Sequence, residues 1–312
     1  MVIRSLGAAS AGAGAMSLQT GSGFQEDVYY RDEAPVGKLA MVKVEGMITG
    51  QRGRYSKSMA ENIIAQIEQA TKDKSVKGLL LYLNTPGGEV TASDKIYHAA
   101  QGFAATGRPV VAYMDTVAAS GGYYIACAAQ EVIATETTIT GSIGVILGGM
   151  NATGLMEKVG LKSQTFASGA FKDTLSMTRE MREDERAYIQ ALVDEMYEKF
   201  AGIVSEARDI PLAQLKDGIA DGRIFQGSRA KSVGLVDETG YVKDAIQALK
   251  TRADLDSAKV VQYFTEPGIS DILGAIGVKA QTEPKVQLDW GQGQLLSELQ
   301  PMVPYMLMEG YE

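Results

Sequence analysis

Short apolar runs alternate with helical stretches over the first 250 residues, and small or glycine-rich residues close most of them. This alternation limits the fold more than any other feature. Val36 to Ile48 reads as a strand pattern with a glycine break. Gly78 to Leu83 (GLLLYL) and Pro109 to Asp115 (PVVAYMD) are largely apolar, as in strands covered on both faces. Glu131 to Thr135, Ile139 to Ile146 and Leu161 to Ala167 read as further short strands. Ser58 to Thr71, Glu89 to Ala105, Gly121 to Ala129 and Met181 to Arg208 read as helices. The last carries Ile189, Leu192, Val193, Met196, Phe200, Ile203 and Val204 at helical spacing. Asp221 to Lys250 reads as strand, helix, short strand, helix. A βαβα order of this kind predicts an α/β fold with a mostly parallel sheet and flanking helices.

The ends read differently. Residues 1–35 are rich in Ala, Gly and Ser and read as a flexible arm, with neither a span of about 20 apolar residues nor a signal core. Residues 36–250 form the predicted folded domain. Residues 251–312 read as a C-terminal extension, with a strand at Lys259 to Phe264 and a short amphipathic piece at Ile269 to Val278. Trp290 and the Met-rich end (Met302, Met306, Met308) read as an apolar tail packed on its own domain, or docked on a partner subunit or in a groove.

Composition removes several functions. The chain carries 30 Lys and Arg against 38 Asp and Glu, a net charge of −8, with no basic run to bind phosphates. One Cys and one His leave no multi-Cys or multi-His metal site, and no cofactor is expected. Cys127 reads as a small core residue. The single His98 is the only imidazole available to a serine hydrolase.

Two glycine turns carry the chemistry. Asn84-Thr85-Pro86-Gly87-Gly88 follows a buried run, and consecutive glycines there let backbone amides face a developing oxyanion. Pro-Gly-Gly is also ordinary turn sequence. The second turn, Ala119-Ser120-Gly121-Gly122, puts a hydroxyl among small residues at a helix start, where it could be an activated nucleophile or a helix cap. A base for Ser120 could be His98 or a lysine. A lysine must be neutral to accept a proton, so its pKa must fall from about 10.4 toward 7–8 through burial. Lys172 follows an uncharged stretch, Ser163 to Phe171, which suits that task, although the adjacent Asp173 would oppose it if it pointed the same way.

LYLNTPGGEV, AYMDTVAASGGYYIACAAQEVIA, TGSIGVI, SGAFKD and DGRIFQGSRAKSVGLVDETG, in this order, resemble the signal peptide peptidase A family of serine peptidases in its short form. The likeness covers roughly residues 36–250. The resemblance implies a ClpP/crotonase-like fold and ATP-independent cleavage of signal peptides or other extended apolar peptides by a Ser-Lys dyad. It assigns Ser120 as nucleophile, Lys172 as general base, Ser142 as the hydroxyl orienting that lysine, and Gly87 and Gly121 as oxyanion-hole amides. It further implies a homo-oligomeric ring with active sites shared between subunits, peptide or unfolded protein substrates, and association with a membrane surface in bacteria. A ClpP-type triad would need a His after the Ser, and this chain has none. The remaining alternatives are a crotonase-type acyl-CoA enzyme and a catalytically silent ring scaffold.

Overall fold

A computed structural model of the chain describes residues 24–52, 57–264 and the backbone of 305–307. The elements in order are β1 (Gln25–Arg31), β2 (Gly37–Glu45), α1 (Met59–Lys72), β3 (Val76–Thr85), β4 (Gly87–Glu89), α2 (Val90–Ala104), β5 (Val110–Ala119) and α3 (Gly121–Ala126). They continue with β6 (Glu131–Ala134), β7 (Ile139–Gly141), α4 (Thr153–Lys158), α5 (Glu183–Arg208), α6 (Leu212–Lys216), β8 (Ile224–Gln226), α7 (Gly227–Ser232), β9 (Glu238–Thr239), α8 (Val242–Arg252), β10 (Ala258–Phe264) and β11 (Tyr305–Leu307).

The main sheet runs β1-β10-β2-β3-β5-β6-β9, with β7 paired to β5 and β8 to β7. The pairs from β10 through β9 are parallel, and β1 is antiparallel at its edge. Strand alternation divides the core. Val42, Val44, Leu79, Leu81, Leu83 and Ala112 face a layer that includes Ile67, Ile96, Phe103, Tyr124 and Phe200 of α1, α2, α3 and α5. Leu39, Met41, Leu80, Val111 and Tyr113 face Ala245, Ile246 and Leu249 of α8. Both faces of β3 and β5 are therefore covered, which explains their continuous apolar sequence.

Local signals place the helices as expected. Ser58 caps α1: its Oγ accepts from Glu61 N and its N–H donates to a Glu61 carboxylate oxygen, each at 3.2 Å. Arg108, just before β5, donates to the carbonyls of Ala70, Thr71, Asp73 and Val76 at 2.7–3.1 Å. One guanidinium thus joins the C-terminal end of α1 to the start of β3.

The structure differs from the sequence reading in four places. Residues 25–31 fall within the expected flexible arm but form β1. They are held because Asp32 accepts from Lys250 Nζ and Ala258 N, both at 2.8 Å, and from the Tyr30 hydroxyl. Lys250 and these hydrogen bonds lower the Asp32 pKa to about 2. The strand at 258–264 lies inside the sheet between β1 and β2, so the sheet reaches past both expected domain boundaries. Leu161 to Ala167 is not a strand: its side chains are exposed, and no neighbouring backbone pairs with it among the described residues. Finally, β7 stops at Gly141, because Gly141 (φ 82°) and Ser142 (φ 50°) turn the chain there. Residues 1–23 and the amphipathic piece at 269–278 lie outside the described residues. No helix among the described residues is long and apolar enough to cross a membrane.

Replacing Arg108 with Ala leaves four carbonyls short of a donor and should lower stability by roughly 2–4 kcal/mol. Lys, with no planar fork, should recover only part of it. Denaturant unfolding of the two variants beside the parent chain measures both effects.

Candidate active site

The site forms where β3 and β5 end. Leu83 pairs with Met114 and Thr85 with Ala118, so β5 bulges by two residues at this point. Asn84 spans the irregularity by accepting from Val117 N at 3.3 Å. The bulge brings the end of β5 level with the Thr85–Gly88 turn.

Ser120 is the single residue between β5 and α3. Its backbone sits at φ 51°, ψ −112°, a region that costs a non-glycine residue roughly 1–3 kcal/mol. Hydrogen bonds hold it there from both sides. Ser120 N donates to Gly141 O at 2.8 Å, and Ser120 O accepts from Tyr124 N at 2.9 Å. The strained strand-to-helix turn is the form a nucleophile elbow takes. The side chain is fully buried, and Oγ has no hydrogen-bond partner among the described residues. It does not cap α3.

The two glycine turns pack directly on one another. A Cβ at Gly121 would stand 3.3 Å from Gly87 Cα and 3.3 Å from Gly88 N; one at Gly122 would meet Thr85 Cγ2 at 2.7 Å. A Cβ at Gly88 would lie 2.0 Å from Ile48 O. Gly87 itself has φ 105°. Gly121 N–H, in the first turn of α3, has no acceptor within the helix. Gly87 N–H donates to Thr85 Oγ1 at 3.1 Å. No local sequence signal marks this Thr85 contact, since a threonine beside a Pro-Gly-Gly turn reads as ordinary strand end. Two backbone bonds seat β4 on residue 48: Ile48 N to Gly87 O at 2.8 Å and Glu89 N to Ile48 O at 2.9 Å. Glu89 adds to this by accepting from Thr49 Oγ1 and Gly50 N.

Of the five residues singled out, the fold brings four together. Ala119 pairs with Gly141, so Ser142 follows beside Ser120 one step later, and it is buried. Gly87 and Gly121 lie side by side, close enough that a Cβ on Gly121 would stand 3.3 Å from Gly87 Cα. Lys172 is the exception. It lies exposed in the turn after Gly169 and does not bond Ser120 Oγ. Its neighbour Asp173 is drawn away by Arg179, which also holds buried Glu185 at the start of α5. Arg179 keeps Asp173 below the usual carboxylate range and Glu185 at about 2. The carboxylate next to Lys172 is thus committed elsewhere.

The other candidates fall away. His98 is on the exposed side of α2, with Nε2 3.5 Å from Asp94 Oδ1, and it makes no bond to Ser120. Cys127 is buried and its thiol pKa is pushed up to about 12 by that burial, so it is inert core.

Comparison with known proteins relates this chain to peptidases. The family described as Peptidase family S49 matches residues 102–256, and Clp protease matches residues 40–140. A protein of Enterococcus faecium named "Putative signal peptide peptidase SppA" is 38% identical over 230 residues, covering 72% of this chain and 67% of that protein. "Serine protease SPPA, chloroplastic" of Arabidopsis thaliana is 31% identical over 249 residues, 77% of this chain and 36% of the relative. "Protease 4" of Salmonella typhi is 32% identical over 238 residues, 76% and 38% respectively.

Gly88→Ala should drive the turn off residue 48 and lower stability by roughly 3 kcal/mol, with loss of any activity at Ser120. Gly102→Ala, on α2 with no atom within 4 Å of the new Cβ, should instead stabilise by about 0.5–1 kcal/mol. Paired thermal melts of the two variants test the turn-packing argument.

Proposed function

The chain is a serine endopeptidase of peptidase family S49 with a ClpP-like fold, and we propose that Ser120 is its nucleophile and that Lys172 of a neighbouring copy is its general base. One observation carries this reading: a buried hydroxyl on strained backbone has no hydrogen-bond partner among the described residues, while the lysine expected to serve it stands in solvent. Family membership sets aside the acyl-CoA and silent-scaffold alternatives.

A second surface feature supports sharing between copies. The segment bearing Lys172 exposes large apolar side chains: Phe166 is 96% exposed, Met150 70%, and Leu155 and Leu161 60% each. No residue of α4 is buried. Exposed apolar surface of this extent marks a contact with another protein. A second copy seated there would cover it and desolvate Lys172. Burial favours neutral lysine, the form a general base needs. The contact joins two different faces, so it closes into a ring of identical subunits when the rotation permits.

Mechanism follows from the geometry. Neutral Lys172 takes the Ser120 proton while Oγ attacks a peptide carbonyl. Buried Ser142, beside Ser120, holds the lysine amine. Gly121 N–H and Gly87 N–H receive the oxyanion. Gly87 must leave Thr85 Oγ1 to do so, and the exchange is favourable because an anionic oxygen accepts about twice as strongly as a neutral hydroxyl. Lys172 then protonates the leaving amine, the acyl-Ser120 ester forms, and water hydrolyses it. No step draws on ATP. The substrates are extended apolar peptides, signal peptides among them, met in solution or at a membrane surface.

Ser120→Ala and Lys172→Ala should each reduce cleavage of an apolar peptide at least 10³-fold while the assembly stays folded. The parent rate should rise from mildly acidic to alkaline pH as the base loses its proton. Rates of the three proteins across pH, with size-exclusion profiles, test this. Cleavage by Ser120→Ala removes the nucleophile assignment, and a flat pH profile removes the lysine.

A further inference from the structure

The sequence holds no run of basic residues, but the sheet assembles one. Arg31 of β1 stands opposite Lys259 of β10, and Lys259 stands opposite Lys38 of β2. Residues paired in this way share one face of a sheet, so three cations lie in a row across three adjacent strands. Neighbouring strands are about 4.8 Å apart, which makes the row roughly 10 Å long. The register of β2 on β3 shifts between Val76 and Gly78, and Lys77, the residue in between, joins the group.

These side chains line a groove of about 610 Å³ where β2, β3 and β10 begin, with Val28 and Val36 as its apolar wall. Ser120 stands at the other end of the sheet, one strand length or roughly 30 Å away, so the groove is separate from the site at the glycine turns.

Like charges placed directly opposite one another destabilise a sheet unless an anion stands between them. Lys38 has its anions: Glu26 at 2.6 Å and Asp73 at 2.5 Å. Arg31 and Lys259 have no ion pair or hydrogen bond from their side chains among the described residues. Lys77 reaches only the carbonyl of Lys74, at 3.4 Å. Asp32, next in sequence to Arg31, is turned to Lys250 of α8, which covers the opposite face. The row therefore lacks the negative charge that its register calls for.

A concave site lined by one sign of charge, with an apolar wall, focuses its field on a counter-ion. The Arg31 guanidinium can grip a phosphate through two N–H groups, and each lysine adds a point charge. Linked phosphates suit a row better than a lone one, because each can answer the cation of a different strand. The chain as a whole carries −8, which repels an extended anionic surface and leaves the groove open to a small ligand. We propose that this groove binds a small molecule bearing linked phosphate groups, held by Arg31, Lys259 and Lys77, with Lys38 as the fixed end of the row.

Titration calorimetry of the full-length chain with inorganic tripolyphosphate, at low salt and without added metal, tests this. The parent should bind one equivalent per chain. Arg31→Gln and Lys259→Gln should each weaken binding about tenfold or more. Lys243→Gln removes the same charge from an exposed position on α8 and should leave binding unchanged. Melting curves show which variants are folded; if Lys259→Gln is not, Arg31→Gln on the edge strand decides. Absence of binding by the parent overturns the proposal. Equal affinity in Lys243→Gln and the groove variants overturns it too, by placing the interaction elsewhere on the surface. A parent that ignores tripolyphosphate but binds phosphatidylglycerol vesicles through Arg31 and Lys259 also overturns it, and makes the groove a lipid contact. The readout is binding, so no outcome depends on Ser120 being the nucleophile.

Discussion

The contact between two glycine turns governs this structure. Gly121 packs on Gly87 and Gly88, where a Cβ would stand 3.3 Å from each and 2.5 Å from Ser93 Oγ, and Gly88 rests in turn on Ile48 O at a distance that admits no side chain. This packing sets the end of β3 against the end of β5. It also leaves Ser120 no room to relax from its strained backbone, which Gly141 O and Tyr124 N hold from either side. The strain costs little beside the covered parallel sheet that enforces it. In return, Ser120 is held beside the two glycine turns before any substrate arrives.

In the proposed reading a single copy is incomplete, and the architecture gives the reason. The core delivers Ser120, Ser142, Gly87 and Gly121 from strand ends and tight turns, all fixed by the sheet. Lys172 comes from a segment that adds nothing to that core. Arg179 ties this segment to the start of α5 through Asp173 and Glu185, so it is shaped but not covered. Its apolar side chains face outward. Under the proposed function, the buried hydroxyl and the exposed lysine become one site when one copy's segment covers the next copy's core.

Much of this was legible in the residues. The apolar runs of β3 and β5 announced a sheet covered on both faces, and Ser58 to Thr71 read as the helix that became α1. Five ordered motifs pointed to the residues around both glycine turns. What escaped has physical reasons. The residues of β1 are mostly exposed, so QEDVYYR lacks the alternation of a half-buried strand, and its anchor, Asp32 with Lys250, spans more than 200 residues of sequence. Leu161 to Ala167 has strand-like composition but no partner strand, and pairing rather than propensity makes a strand. The hold of Thr85 on Gly87, and the pairing of β11 with β4, are long-range or turn-specific contacts that no local pattern encodes.

Subunit mixing measures directly whether two half-sites meet across copies. Ser120→Ala and Lys172→Ala chains, each inactive alone, would be unfolded together, refolded as one pool and assayed on an apolar peptide. Sharing predicts that activity returns, to about one site in four by random assortment, because an intact serine then faces an intact lysine of its neighbour. A mixed pool as inactive as its components, with assembly verified, would contradict it and place both residues of the dyad in one chain.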